Sequence, residues 1–160
     1  MKKLHGKARQ VLLTAVVAGV VAAAIGGVSR AHAAGSPRDD DTMTLTETQT
    51  ASKFISISHT KNGGPGDEFT FHSIVTDHSG ARVGTLDVLC VVLLQQRIQC
   101  QGTYTLPGGT ISGTALSSLA NNGVTHVAIN GGTGRYDRVH GQVTSTPTGN
   151  TTTRSVFDID

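Results

Sequence analysis

Short segments in which apolar and polar residues alternate, or in which apolar residues run together, fill the chain after residue 50. Clusters of Gly, Asn and Asp separate these segments, as at 61–66 and 77–80. A period of two between apolar positions is typical of β-strands, and no segment repeats with the period of a helix. The pattern predicts eight strands, at about 51–60, 67–76, 83–94, 97–106, 110–116, 124–130, 138–145 and 151–159.

Eight short strands joined by tight turns describe an antiparallel meander. An open sheet of this kind would leave two edges of unpaired amide groups, and closure into a barrel removes both edges. We therefore expect an all-β fold, a single eight-stranded antiparallel β-barrel. A sandwich of two sheets remains an alternative, because alternation alone does not distinguish the two architectures.

The N-terminal residues 1–33 have the three parts of a secretory signal peptide. Basic residues are followed by an apolar stretch at 11–28 and by the small-residue exit Ala31-His32-Ala33. An uncleaved membrane anchor is the alternative, since a spanning helix needs about 20 apolar residues. Residues 34–46 contain the acidic run Asp39–Asp41 and are expected to form a short disordered polar tail. The barrel domain is then 47–160, in a secreted protein.

Removing the leader changes the charge of the protein. The full chain of 160 residues carries a formal net charge of +2, which becomes −3 when the five basic residues of the leader are lost. The remaining sequence has no basic stripe with interleaved aromatic residues, so a nucleic-acid partner is not expected. After leader cleavage, no membrane partner is expected either. A chain of this length and composition also argues against a two-domain enzyme.

The two cysteines, Cys90 and Cys100, fall on the predicted third and fourth strands. Disulfides persist outside the cell, so we expect these residues to form one; a pair of buried thiols is the alternative. If the two strands form a hairpin in which the cysteines are opposed, then the two residue numbers of every opposed pair add up to 190. The same face then brings together Val92 with Ile98, Val88 with Gly102, and Leu86 with Tyr104. The histidines are scattered, and no metal site is predicted.

Alternation along the strands also assigns side chains to the barrel interior. Hydroxyl and aromatic groups predominate among them, which is the profile of a binding cavity. The candidate cavity residues are Phe54, Ser56, Ser58, Phe69, Phe71, Ser73 and Tyr104. Asp87 and His72 fall on the outer face, where Asp87 needs a partner such as Arg82, Arg97 or a neighbouring subunit.

Two segments carry a resemblance to a known family. They are Gly84 with Val88-Leu89-Cys90, and the run Ile-Asn-Gly-Gly-Thr-Gly-Arg-Tyr at 129–136 that leads into Gly141-Gln142-Val143. Glycines at Gly131, Gly132 and Gly134 around Thr133 allow a tight turn, and Tyr136 can then cap one end of the barrel. Over about 54–143 the chain resembles the allene oxide cyclase and dirigent superfamily, in particular small secreted bacterial members with two cysteines on neighbouring strands.

The resemblance implies an eight-stranded barrel with an apolar cavity for a lipid-like or phenolic ligand, no cofactor, and a homo-oligomer, either dimer or trimer. In allene oxide cyclases the first strand presents a Glu and, two residues later, an Asn to the cavity. The matching positions here are Ser56 and Ser58, so the cyclase Glu is expected to be absent.

Three functions follow from these observations. The first is a secreted barrel that binds a small apolar or phenolic molecule. The second is a cofactor-free cyclase or isomerase, or a dirigent-like guide for coupling, so whether the protein is an enzyme stays open. The third is an exported structural protein with a filled barrel. An empty cavity would argue against the third, and a buried ionisable group in that cavity would favour the second over the first.

Overall fold

A computed structural model describes residues 41–60, 63–120 and 123–160. The predicted leader at 1–33 and residues 34–40 of the predicted tail lie outside the described residues. The strands are β1 (Asp41–Ile55), β2 (Glu68–Thr76), β3 (Arg82–Val92), β4 (Arg97–Leu106), β5 (Gly109–Ser118), β6 (Thr125–Gly132), β7 (Gly141–Pro147) and β8 (Thr152–Ile159). Two single-turn 3-10 helices, Leu94–Gln96 and Gly134–Tyr136, lie between strands. In these ranges no helix has the length and apolar character needed to cross a membrane.

The eight strands form one closed barrel in sequence order, and every neighbouring pair is antiparallel. Closure comes from β1 and β8, which pair from Asp41 opposite Ile159 to Thr48 opposite Thr152. The all-β, eight-stranded antiparallel barrel predicted from the sequence is confirmed. The two-sheet sandwich was the wrong alternative, because no sheet edge is left unpaired.

The first strand begins earlier than the sequence pattern predicted. β1 starts at Asp41 and ends at Ile55, whereas the alternation suggested about 51–60. Residues 41–46, which we assigned to a disordered tail, are paired with β8. The segment contains few apolar residues, but threonine occupies every second position from Thr42 to Thr48, and threonine favours strands. Pairing with β8 on one side and β2 on the other provides the hydrogen bonds that hold it.

A β-bulge at Thr50 changes which residues of β1 face inward. The register with β2 shifts between Gln49 and Ala51. Before the bulge the odd-numbered residues face the interior, and after it the even-numbered ones do, since an extra residue reverses the alternation. The interior set is therefore Leu45, Glu47 and Gln49, followed by Ser52 and Phe54, which pair with Phe71 and Phe69.

The hairpin of β3 and β4 has the predicted register. Cys90 lies opposite Cys100 and the two form a disulfide. The other predicted pairs are also present, namely Val92 with Ile98, Val88 with Gly102, and Leu86 with Tyr104. The chain reverses through Gln95 and Gln96, both with positive φ. The register predicted from the opposed cysteines is thus confirmed at each of these pairs, whereas β3 ends at Val92 and the pattern had extended it to residue 94.

The glycine-rich segment after β6 packs against the β4–β5 turn. Gly131 and Gly132 end β6, and Gly134 to Tyr136 form the second 3-10 turn. Gly134 has a φ of +61°, and a Cβ there would lie 2.2 Å from the carbonyl oxygen of Gly108. The Thr133 hydroxyl lies 2.8 Å from that of Thr110, and Tyr136 packs against the core. Only glycine allows so close an approach of the two turns.

The barrel is filled at one end only. We call the end with the β2–β3, β4–β5 and β6–β7 connections the filled end, and the end with the β1–β2, β3–β4, β5–β6 and β7–β8 connections the open end. Buried apolar side chains pack together in the half of the barrel near the filled end. They are Leu45, Val75, Leu86, Tyr104, Leu106, Ile111, Ile129, Val139, Val143 and Phe157. This core holds the fold together and leaves the other half of the interior for a cavity.

The disulfide should contribute measurably to the stability of this barrel. It joins residues 10 apart in the sequence, and closing a loop of that size is worth about 2 to 3 kcal/mol. A Cys90→Ala, Cys100→Ala double variant should lose that amount of unfolding free energy in urea titrations. Adding a phosphine reductant should lower the urea midpoint of the native protein and leave that of the variant unchanged. An unaltered midpoint in the double variant would contradict this role.

Candidate ligand cavity

A cavity of about 370 Å³ occupies the interior near the open end. Its wall is made by inward-facing residues of the strands, and its lining extends to Gly123 and Asn150 in connections at the open end. The Cys90–Cys100 disulfide forms part of the wall. Most of the lining is apolar, with hydroxyl groups from Ser73, Ser117 and Ser145. The cavity therefore suits a small, largely apolar molecule.

Four of the seven cavity residues predicted from the sequence line this cavity, and three do not. Phe69, Phe71, Ser73 and Tyr104 are in its wall. Phe54 lies opposite Phe69 on the inward side but beyond the cavity, where it is 52% exposed. Ser56 and Ser58 follow the end of β1, so the alternation that placed them inside does not apply to them.

Ser58 instead belongs to a network that fixes the β1–β2 connection. The buried carboxylate of Asp67 accepts hydrogen bonds from the backbone N–H groups of Ile57 and Ser58, both at 2.6 Å, and of Gly64 at 2.7 Å. The Ser58 hydroxyl donates a fourth bond at 2.8 Å. These hydrogen bonds, of which the one from the Ser58 backbone has the largest effect, lower the pKa of Asp67 to about 2. Desolvation acts in the opposite direction but is outweighed. Asp67 is therefore an ionised structural anchor of the open end.

The floor of the cavity carries a buried carboxyl group that the sequence analysis missed. Glu47 projects from β1, and its Oε1 accepts a hydrogen bond from the Ser155 hydroxyl on β8 at 2.5 Å. The Tyr104 hydroxyl, from β4 across the barrel, donates to the same oxygen. Ser145 extends the network, with its hydroxyl 2.8 Å from that of Ser155. Because Oε2 accepts neither of the two bonds from Tyr104 and Ser155, it is the oxygen better placed to meet a ligand.

Burial determines the electrostatics of this group. Desolvation raises the pKa of Glu47, and the hydrogen bonds from Ser155 and Tyr104 offset part of that increase. Desolvation, followed by the nearby Glu47 charge, raises the pKa of Tyr104 well above its ordinary value, so the phenol stays protonated. None of the described residues lining the cavity is Lys, Arg or His. Glu47 thus has no cationic partner in the wall and is biased towards its neutral, proton-donating form.

The position of Glu47 corrects the expectation that the first strand presents no glutamate to the cavity. Glu47 and Gln49 are two residues apart on β1 and both line the cavity. This is the spacing that the family resemblance implied for a Glu and an amide, with Gln in place of Asn. Ser56 and Ser58 follow the end of β1 and do not line the cavity. The error came from beginning the strand at residue 51 and from the bulge, which sequence alternation does not reveal.

His72 and Asp87 form a polar pair on the outer wall. The Nδ1 of His72 lies 2.6 Å from Oδ1 of Asp87, so the partner of Asp87 is His72 and neither of the arginines considered above. Both side chains are exposed to solvent, at 40% and 65%. In the described ranges, no three His, Cys, Asp or Glu side chains are grouped so as to hold a metal ion.

Solved structures share this barrel. The protein known as pyocyanin demethylase is similar over 74% of this chain and 99% of its own, with 22% identity and a TM-score of 0.67. The Diels-Alderase AbmU from Streptomyces koyangensis is similar over 76% of this chain and 70% of its own, with 20% identity and a TM-score of 0.58. No family model and no curated protein matches the sequence.

Dirigent proteins have the same fold. The pterocarpan synthase dirigent protein PsPTS1 is similar over 76% of this chain and 95% of its own, with 16% identity and a TM-score of 0.54. At these identities the similarity defines the fold alone. The class of protein is thus an eight-stranded barrel of the architecture found in dirigent proteins and in Diels-Alderases of the AbmU kind.

The raised pKa of Glu47 makes the stability of the protein depend on pH. A carboxyl group that is harder to ionise when folded than when unfolded destabilises the folded state as pH rises through its folded-state pKa. Replacement of Glu47 by Gln removes the charge and keeps an oxygen that can accept both hydroxyl bonds. The Tm of the Glu47→Gln variant should exceed that of the native protein by an amount that grows as the pH rises from about 4, near the ordinary pKa of glutamate, and levels off above the folded-state pKa of Glu47.

Glu68, at the start of β2, provides the matched control. It is half-buried and lies at the open end of β2, away from the Glu47 cluster. A Glu68→Gln variant should follow the native pH profile of Tm. A constant difference in Tm between the Glu47→Gln variant and the native protein at all pH values would show that Glu47 ionises as readily in the fold as in the unfolded chain.

Proposed function

We propose that this protein is a secreted, cofactor-free isomerase or cyclase that binds a small, largely apolar or phenolic molecule in its barrel. The observation that carries the proposal is the buried Glu47 on the cavity floor, hydrogen-bonded by Tyr104 and Ser155. Holding an acid in the cavity wall without a cationic partner costs stability, and a role in proton transfer to the ligand would account for its presence there.

Binding is supported by the size and the chemistry of the cavity. Its volume of about 370 Å³ lies in the range of small-molecule sites. The core fills the other half of the barrel, so the free space is bounded below by Tyr104 and its neighbours. A ligand that enters would cover Phe69 and Phe71 and reach Glu47 with its inner end. An anionic group at that end would be disfavoured, because the described lining offers it no Lys, Arg or His partner in a desolvated site.

The chemistry follows from the protonation of Glu47. In its neutral form the carboxyl group donates its proton to a basic atom of the ligand. The carboxylate left behind is stabilised by the Tyr104 and Ser155 hydroxyls and stabilises the positive charge on the ligand. It then removes a proton from a different ligand atom, which restores the neutral acid. The net change is an isomerisation, with ring closure where the cation meets a nucleophilic carbon, and no oxidant or reductant is consumed.

The named activities of several proteins with this fold support ring closure or guided coupling in such a cavity. They include a Diels-Alderase, a cyclase described as catalysing a [4 + 2] cycloaddition, and a dirigent protein. In such reactions the protein holds a reactive molecule in one conformation, which requires a shaped cavity. Secretion is supported by the signal-peptide pattern at 1–33 and by the disulfide, which suits an oxidising compartment. A homo-oligomer stays a prediction of the family resemblance.

Filling the cavity should abolish binding of a neutral apolar probe. Ala115 lines the cavity opposite Cys100, and a phenylalanine there would occupy much of the free space. The fluorescent probe 1-aminoanthracene should bind the native protein and bind an Ala115→Phe variant at least about tenfold more weakly, because the small site has no room for both rings.

The control adds the same bulk outside the barrel. Ala128 is exposed on β6 and does not line the cavity. An Ala128→Phe variant should bind the probe with native affinity, and circular dichroism should show both variants folded. Equal binding by the native protein and the Ala115→Phe variant would mean that the probe binds elsewhere and would remove the support for a cavity ligand.

Proton transfer by Glu47 should leave an isotopic trace. Native mass spectrometry of the protein purified from its producing cells would identify a bound compound by its mass. When that compound is incubated with native protein in D2O, its isomer should form and carry deuterium. The Glu47→Gln variant should retain the compound and form the isomer at least about 100-fold more slowly, since it has no proton to donate.

A Glu68→Gln variant should behave as the native protein in the same assay. If the native protein binds the compound, returns it unchanged and introduces no deuterium, the catalytic role of Glu47 is wrong and the protein is a binding protein. If the isomer forms at the same rate in the Glu47→Gln variant, another group moves the proton.

A further inference from the structure

The hydrogen bonds around Glu47 suit a negative charge. The hydroxyl groups of Tyr104 and Ser155 converge on Oε1 of Glu47, and the bond from Ser155 measures 2.5 Å. Two donors on one oxygen stabilise a carboxylate, whereas desolvation of the same group opposes its ionisation. Buried carboxylates are paired with a cation or become neutral. The site therefore has the hydrogen-bond donors of a buried ion pair and still needs a cation to complete it.

None of the described residues in the cavity wall supplies that cation. The titratable side chains among these lining residues are Glu47 and Tyr104, because the two cysteines form a disulfide. The nearest arginine along β8 is Arg154, which is exposed, while its neighbour Ser155 is buried. Alternation along the strand therefore places Arg154 on the outer face. A cation that pairs with Glu47 has to come with the ligand.

The free oxygen of Glu47 indicates what kind of cation fits. Oε2 accepts neither the bond from Tyr104 nor the bond from Ser155, so it can accept an N–H from the ligand. A protonated nitrogen in an aromatic ring carries a single N–H. An alkyl ammonium group carries three N–H donors and is strongly hydrated, so it would lose more on entering a largely apolar cavity. The site thus favours a ring nitrogen over an aliphatic amine.

The wall next to β1 suits a flat aromatic molecule. Phe69 and Phe71 are two residues apart on β2 and both line the cavity, so their rings follow one another along the wall. From Ser73, which also lines the cavity, to Phe69 the strand rises about 13 Å, which is long enough for three fused rings. Aromatic faces also attract a cation whose charge is spread over a ring system.

We propose that the ligand is a planar aromatic base, a fused-ring heterocycle whose ring nitrogen takes the proton of Glu47 and stays beside it as a cation. The O–H bond of Glu47 breaks and an N–H bond forms on the ligand. The carboxylate keeps its hydrogen bonds from Tyr104 and Ser155. The charge of the complex does not change, and no further reactant is needed. The inference rests on the proposed function, because it names the basic atom to which Glu47 gives its proton.

A single ring atom should then decide how a molecule binds. A hydrogen bond between charged groups is stronger than one between neutral groups. A ligand of the same shape without the nitrogen leaves the acid neutral and without a partner for its proton. The comparison of two such molecules tests the charge alone, because size and shape are equal.

Acridine and anthracene provide this comparison. Acridine has a ring nitrogen where anthracene has a C–H group, and both have the three fused rings of 1-aminoanthracene. Protonated acridine emits at longer wavelength than neutral acridine, so its fluorescence reports where the proton is. At a pH well above the pKa of free acridine, we expect acridine bound to the native protein to emit as the cation.

The Glu47→Gln variant should bind acridine as the neutral molecule and at least about tenfold more weakly, since the charge-assisted bond is lost. Anthracene should bind the native protein and this variant equally. A Glu68→Gln variant should behave as the native protein with both probes.

Replacing Ser155 tests the hydrogen bonds to Oε1. In a Ser155→Ala variant the carboxylate has lost one of its two donors, so the cationic fraction of bound acridine should fall. Anthracene should bind this variant as it binds the native protein, and circular dichroism should show it folded. An unchanged cationic fraction would mean that these donors do not hold the ion pair.

Several outcomes would overturn the proposal. They are no binding of acridine, neutral emission from acridine bound to the native protein, and cationic emission that persists in Glu47→Gln or in Ala115→Phe. The proposed function is judged separately, by deuterium in the co-purified compound. Formation of the labelled isomer together with neutral acridine would remove only the aromatic base. Cationic acridine without formation of an isomer would leave a protein that binds such a base and does not isomerise it.

Discussion

The pairing of β1 with β8 is the constraint on which the cavity depends. Each strand would otherwise be an edge, with a row of backbone amides open to water or to another chain. Their eight paired positions close the sheet and bring Glu47 on β1 beside Ser155 on β8. Tyr104 reaches the same carboxyl group from β4, half a turn around the barrel. The acid site therefore exists only in the closed barrel, because no local segment contains its three members.

The closed barrel contains a cavity because side chains fill only one half of its interior. Near the filled end large side chains pack without a gap, and the edge of Tyr104 contacts the ring of Phe157 at a centroid distance of 5.0 Å. Towards the open end β4 and β5 contribute three small inward residues to the wall, Gly102, Gly113 and Ala115. Larger side chains at these positions would fill space that now belongs to the cavity. Tyr104 lies at the boundary between the core and the cavity. Its ring packs in the core, and its hydroxyl group contacts Glu47.

Much of this architecture could be predicted from the sequence, and the exceptions have one cause. The register of β3 and β4 was predicted to the residue because two cysteines fix it and apolar residues oppose one another on the inner face. β1 was misplaced because its first half is mostly threonine and its bulge at Thr50 reverses the alternation. The sequence did contain a sign that this segment is a strand. Met43, Leu45 and Glu47 alternate with threonines, so they share one face of a strand, and Glu47 lies on the same face as the two apolar residues. Which strand pairs with β8 is a property of the closed fold, and no local pattern contains it.

Ligand occupancy and the protonation of Glu47 are coupled by the physics of the site. Desolvation is the largest cause of the raised pKa of Glu47, and Glu47 lines the cavity, which is the side from which water can reach it. An apolar occupant displaces that water and raises the pKa further, because it offers the carboxylate nothing in return. By linkage, the neutral acid binds such a ligand more tightly than the carboxylate does. The empty barrel and the occupied one thus differ in proton affinity, and the acid is most completely protonated at the moment when a ligand is present to receive the proton.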